Sequence, residues 1–207
     1  MKDKIFDILP FLLIGDLILP FLFALTYRGY DHLTQVMSAL GNPKAPLHIL
    51  YNIWLIVLGI AILFCNFRLY PIFSEKSRFI AIMLFVIICV YAIGACILSG
   101  IFPVGETKEL KTISAKIHGY GSAFGFMLLA FAPLFTGLYF FKAFNRPLGV
   151  FSFICFVFSV LCFVFFVMAD KPAFRGSIIA LEGLWQRLSL LFMYLPIIAL
   201  CAAVKNK

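Results

Sequence analysis

The stretch "FICFVFSVLCFVFFVM", residues 153–168, carries an apolar side chain at every position but Ser159. Such a run has no polar face to turn toward water. An amphipathic helix would show polar residues at a 3.6 period, and a half-buried strand would alternate. Only a hydrocarbon surrounding satisfies every face at once, and there the backbone must bond to itself. Helices and closed β-barrels are the two solutions. A barrel strand alternates apolar and polar residues, so this run reads as a transmembrane helix.

It has five counterparts. A helix needs about 20 mainly apolar residues to cross the hydrocarbon core. Six stretches meet that length: roughly Ile5–Tyr27, Leu47–Phe67, Phe79–Ile101, Ile117–Phe141, Leu148–Ala169 and Leu184–Val204. The 207 residues are 64% hydrophobic and 13% charged, against about a quarter charged in soluble domains. The expected fold is therefore an all-α integral membrane bundle of six helices, arranged as three hairpins with both termini on one side. No linker or low-complexity segment divides it, so residues 1–207 form one domain in this reading. "MKDK" would serve a signal peptide, but Pro10, Asp16 and Pro20 interrupt the apolar run and no small-x-small cleavage site follows. The first span is expected to be retained.

The net charge of +8 does not indicate nucleic acid: the seventeen Lys and Arg are scattered singly, with no basic stripe. Anionic lipid head groups are the expected partners of these charges, and membrane lipids the expected partners of the chain. All six cysteines fall inside apolar runs, where they act as small packing residues rather than a disulfide or thiolate framework. Lys and Arg divide nine to eight between the short-loop and long-loop faces, but the short loops are denser in positive charge. The positive-inside rule then places both termini in the cytoplasm.

Polar residues gather on the long-loop face. All three histidines lie there: His32 in the first loop, His48 opening span two and His118 opening span four. Ser38, Asn42, Asn52, Ser99, Glu106, Ser122, Asp170, Glu182, Gln186 and Arg187 join them. His118, Ser122 and Gly125 share one helical stripe, and Gly121 with Gly125 forms a small-xxx-small pair for close helix approach. Arg187, one turn inside its span, either snorkels or pairs inward with an acid; its planar fork suits a carboxylate or lipid phosphate. Trp185, Tyr27, Tyr30 and Tyr51 read as interfacial anchors. Asp16, near the centre of span one, is costly there by several kcal/mol. Pro20 cannot donate to its carbonyl. Asp16 is either an ion or proton site or a protonated acid bonded to a Tyr or Ser of a neighbouring helix.

His118, Arg187, Glu106, Ser122, Gln186, Ser38, His48 and Asp16 are thus the candidate ligand-binding residues, with His118 the candidate catalytic base. His32, His48 and His118 could supply a three-ligand zinc site, although no HExxH or HxxxH spacing supports one. His48 and His118 as axial haem ligands are weaker still, because such a haem would lie at the membrane boundary. No phosphate loop, nucleophile elbow or carboxylate pair is present, so no cofactor is expected.

"YDHLTQVMSALGNPKAPLHILYNIWLIVLGI", with its Ser-x-Leu-Gly corner, together with "GIFPVGE", "KIHGYGSAFGF" and "GLWQRL", resembles a family of six-span bacterial membrane proteins, domain of unknown function 998. The resemblance covers nearly the whole chain. It implies the six-helix fold in a bacterial cytoplasmic membrane, draws attention to Ser38, Gly41, Pro103, His118 and Arg187, and carries no established reaction. The leading expectation is a membrane protein whose outward polar pocket binds a lipid head group or small amphipathic ligand. An intramembrane enzyme acting on lipid, with or without zinc, is the alternative. A proton- or ion-coupled transporter is third, since no inverted repeat is visible.

Overall fold

A computed structural model of the chain describes residues 4–103, 105 and 110–205. Glu106, one of the candidate acids, lies outside the described residues. Among those described, the structure is all-helical, with six helices long and apolar enough to cross a membrane. They are α1 Ile5–Ala24, α2 His48–Ser74, α3 Arg78–Ile101, α4 Ile113–Lys142, α5 Arg146–Met168 and α6 Glu182–Lys205. Each expected span has its helix. The largest departure is α2, which continues to Ser74 through Pro71 instead of ending near Phe67. Hydropathy marks where lipid ends, whereas a helix continues as long as its backbone bonds are best made internally.

Local chemistry sets the starts. Thr112 caps α4, its hydroxyl accepting from the Ala115 N–H at 3.0 Å, and Asn145 caps α5 through the Leu148 N–H at 3.3 Å. The first long loop contains a 3₁₀ turn at Met37–Gly41, and the last contains two, Pro172–Phe174 and Ile178–Ala180.

Two spans are irregular. The α-helix of α3 gives way to a π-helical segment over Tyr91–Leu98. α4 breaks at Ala130–Phe131, just before Pro133, whose ring removes one backbone donor. The Ser159 hydroxyl of α5 donates to the Ala130 carbonyl there at 3.1 Å, so a neighbouring helix satisfies backbone that the break loosens.

The outer surface is oily. Phe11, Phe64, Ile49 and Val157 are each more than half exposed, as a lipid-facing surface requires. Inside, α3 is the most enclosed helix and α5 the least. Small residues let α3 and α4 meet at backbone distance. A Cβ at Gly94 would run into the Gly121 carbonyl, and one at Gly125 would stand 2.8 Å from the Ala95 Cβ. The Gly121–Gly125 pair thus packs on the π-helical stretch. Between α2 and α3, the Asn66 amide donates to the Phe85 carbonyl at 2.9 Å. All six cysteines are free thiols, five of them buried. At the opposite end from the long loops, Lys205 contacts the Asp7 carboxylate, joining the last turn of α6 to the first of α1.

Candidate functional site

The first loop folds back onto the start of α6. The Leu184 N–H donates to the Leu33 carbonyl at 2.9 Å, and the Met37 N–H to Gln186 Oε1 at 2.6 Å. Arg187 completes the junction. Its Nη1 donates to the carbonyls of His32 (2.8 Å), Gln35 (3.1 Å) and Gly183 (2.9 Å), and its Nη2 to the Tyr30 hydroxyl (2.7 Å). Nη2 also lies 3.2 Å from His32 Nδ1, and the guanidinium sits over the rings of Phe21 and Tyr30. Gly183 allows this closeness, because a Cβ there would meet the His32 carbonyl at 2.5 Å. Arg187 does not snorkel alone: it fastens the loop. Loop carbonyls answer the need for an acceptor that sequence reasoning assigned to an acid.

The titratable groups of this junction respond to it. Burial pushes the Tyr30 phenol above its ordinary value against the opposing pull of Arg187. Asp31 is held below the usual carboxylate range, chiefly by the Thr34 hydroxyl and the Leu33 N–H. Burial, then the charge of Arg187, depresses His32 below 6.5. A neutral His32 with Nδ1 as acceptor is the form that fits beside a guanidinium.

Beneath the loop lies a cavity of about 280 Å³. Met37 and Ser38 of the first loop, Gly105 and Leu110 of the second and Glu182 line one end. His118, Ser122 and Gln186 stand along the wall, and Asp16 marks its depth. Tyr51, Tyr91, Phe126, Phe163 and Phe166 give the wall its aromatic character. His118 is oriented by the Phe102 carbonyl, 2.9 Å from its Nδ1, which therefore carries the proton. The chain turns at this Phe-Pro corner, and the Asn42 amide ties it to the first loop through the Gly105 carbonyl at 2.8 Å.

Asp16 is 2% exposed. Trp54 Nε1 of α2 donates to its Oδ1 at 3.2 Å, and the Tyr194 hydroxyl of α6 donates to its Oδ2 at 2.9 Å. Tyr194 in turn bonds the Tyr91 hydroxyl of the π-helical segment. The carboxyl thus ties three helices to a fourth. The tyrosine partner matches the expectation for a neighbouring helix. Tyr91, Tyr194 and Trp54 were not identified from sequence, although a hydroxyl or indole N–H inside a span requires a partner and is a readable signal.

The structure brings His118, Ser122, Gln186, Ser38 and Asp16 to one cavity and leaves His48 and Arg187 outside it. His48 turns back on its own loop, Nδ1 2.7 Å from the Ala45 carbonyl. His32 belongs to the Arg187 junction, so the three histidines point to three different partners. Among the described residues no group of three His, Cys, Asp or Glu is placed to hold a metal ion. The three-histidine zinc site is therefore not assembled among the described residues. Tyr51, read from sequence as an interfacial anchor, is instead 2% exposed and lines the cavity.

Six apolar helices, polar loops packed at one end and an oily exterior define a multi-pass membrane protein. The family described as "Protein of unknown function (DUF998)" matches residues 14–203, and the chain belongs to it. No curated protein and no solved structure matches the chain.

Proposed function

We propose that this protein binds a small amphipathic ligand or lipid head group in the cavity under the first loop, on the extracytoplasmic side, with both chain ends in the cytoplasm. The observation that carries this reading is the cavity itself, a mainly apolar space with five aromatic side chains in its wall, reached by a few polar groups from several helices. Ligand sites are typically concave and mainly apolar, with few fixing polar groups, and this one lies near the lower end of their size range. His118, with Nδ1 committed to a backbone carbonyl, is a positioned wall residue. The Lys205–Asp7 contact supports chain ends that share a face. Lipids of the surrounding membrane are the nearest source of such a ligand.

Native mass spectrometry of the protein extracted from membranes tests this reading. A retained amphiphile is expected on the wild type and should be lost when Ser122→Phe fills the cavity. Wild-type and Ser122→Phe proteins that carry the same adducts would count against it.

One observation favours a second reading, proton- or ion-coupled transport. Asp16, Tyr194 and Tyr91 form a hydrogen-bonded chain inside the bundle, against a π-helical segment of a kind often found at functional sites. Asp16→Asn keeps hydrogen bonding without an ionisable proton. An unchanged response of reconstituted Asp16→Asn protein to an imposed pH gradient would end that reading.

A further inference from the structure

We propose that the ligand carries a cationic amine, an alkylammonium whose nitrogen sits against the Asp16 carboxylate while its chain runs along the aromatic wall. This inference rests on the cavity being a binding site, and it reverses the charge that the sequence led us to expect.

Three observations converge on it. First, Asp16 is nearly inaccessible yet forms part of the cavity wall, and the side chains that donate to it, Trp54 and Tyr194 among them, are neutral. A buried carboxylate without a cation is heavily penalised, and an ammonium in the cavity would supply the missing charge. Second, the described wall holds two acids, Asp16 and Glu182, and no Lys or Arg. Arg187, which would have met a phosphate, commits its two terminal nitrogens to three backbone carbonyls and Tyr30. An anionic head group would find no guanidinium there and would face Asp16. Third, Tyr51, Tyr91, Phe126, Phe163 and Phe166 line the same space. Aromatic faces attract ammonium groups, most strongly where water is excluded.

The emission of Trp54, bonded to Asp16, reports occupancy directly. The chain has two tryptophans, so Trp185→Phe leaves Trp54 as the sole reporter. This full-length protein, in maltoside micelles, is titrated with decyltrimethylammonium, decanol and decanoate. Micellar partitioning is common to a protein and its variant, so the ratio of their apparent affinities isolates the site. The cation should shift Trp54 emission saturably, and Asp16→Asn should weaken it by at least about tenfold, as loss of a buried charge partner does. Decanol should bind both proteins alike, and decanoate should bind least.

Should Asp16→Asn fold poorly, Phe163→Leu removes one ring from the wall and should weaken the cation several-fold without affecting decanol. Decylphosphocholine separates the sources: Asp16-dependent binding equal to that of the cation assigns a choline-type lipid head group, and weaker binding assigns a free amine. Decanoate binding best, or Asp16→Asn weakening the cation and decanol equally, would overturn the amine while leaving the cavity reading intact. No saturable shift with any of the amphiphiles would remove both.

Discussion

Arg187 shows how one side chain can hold a loop and an open helix end together. A guanidinium has five donors, and the described contacts commit its two terminal nitrogens to three carbonyls and one phenol. Lysine presents a point charge without the planar fork, so Arg187→Lys should recover only part of what Arg187→Ala loses. Arg187→Ala should destabilise by about 1–3 kcal/mol, the cost of partly buried carbonyls left unpaired. Thermal unfolding in detergent, with protease nicking of residues 30–36, measures both. His32 adds a pH dependence. Its folded value lies below 6.5, so the opened loop takes up a proton before the closed one does. The stability that His32 contributes is present above 6.5 and is lost as pH falls from there through the depressed value. The protection of amides in residues 30–37, measured relative to their intrinsic exchange rates, should fall between pH 7.5 and 5, and His32→Gln should flatten that profile.

Among the helices, the contact of α3 with α4 has the narrowest tolerance. In lipid, helices associate through packing and hydrogen bonds rather than through a hydrophobic drive, so small residues set how closely backbones approach. Gly94 and Gly121 face each other across this contact, and Gly125 meets Ala95 beside them. Gly94→Ala and Gly125→Ala should each lower the melting temperature, because backbone or a short Cβ stands where the new methyl would go. Gly119→Ala is the control: its Cβ would meet only the far end of Leu110, at 2.6 Å, which can rotate away. Equal melting of all three variants would show that this crossing does not depend on close approach. The same contact carries the π-helical segment that presents Tyr91 and Ala95 to the cavity, so its packing and the shape of the site are coupled.

At the scale of the molecule, the first loop bonds to the second through Asn42 and to the start of α6 through Met37, while the first turn of α1 and the last of α6 meet through Asp7 and Lys205. Accessibility tags at residues 1 and 207 should label from the same side of a sealed vesicle. A tag in the exposed segment 171–177 should label from the opposite side. Tags at 1 and 207 that label from opposite sides would separate the cavity mouth from the face proposed for it.

The six spans were legible because hydrocarbon is an unforgiving solvent. A run such as residues 153–168 has no other stable surrounding, so composition and length determine the number of helices and nearly their limits. An even helix count and the alternation of short and long loops led to the expectation that polar residues gather at one end. The close-packing role of Gly121 and Gly125 was readable from their spacing alone. The sequence could not tell which polar residues share a space. His118 and Arg187 begin helices at the same end, yet one lines the cavity and the other fastens the first loop. That choice depends on which way each helix is turned and where the first loop folds back, and neither has a periodic signature. Asp16 was visible as costly, but its partners, Trp54 and Tyr194, lie 38 and 178 residues away in the chain. Only the packing of α2 and α6 against α1 brings those donors to it, because a buried polar group is satisfied by whatever tertiary structure places within reach.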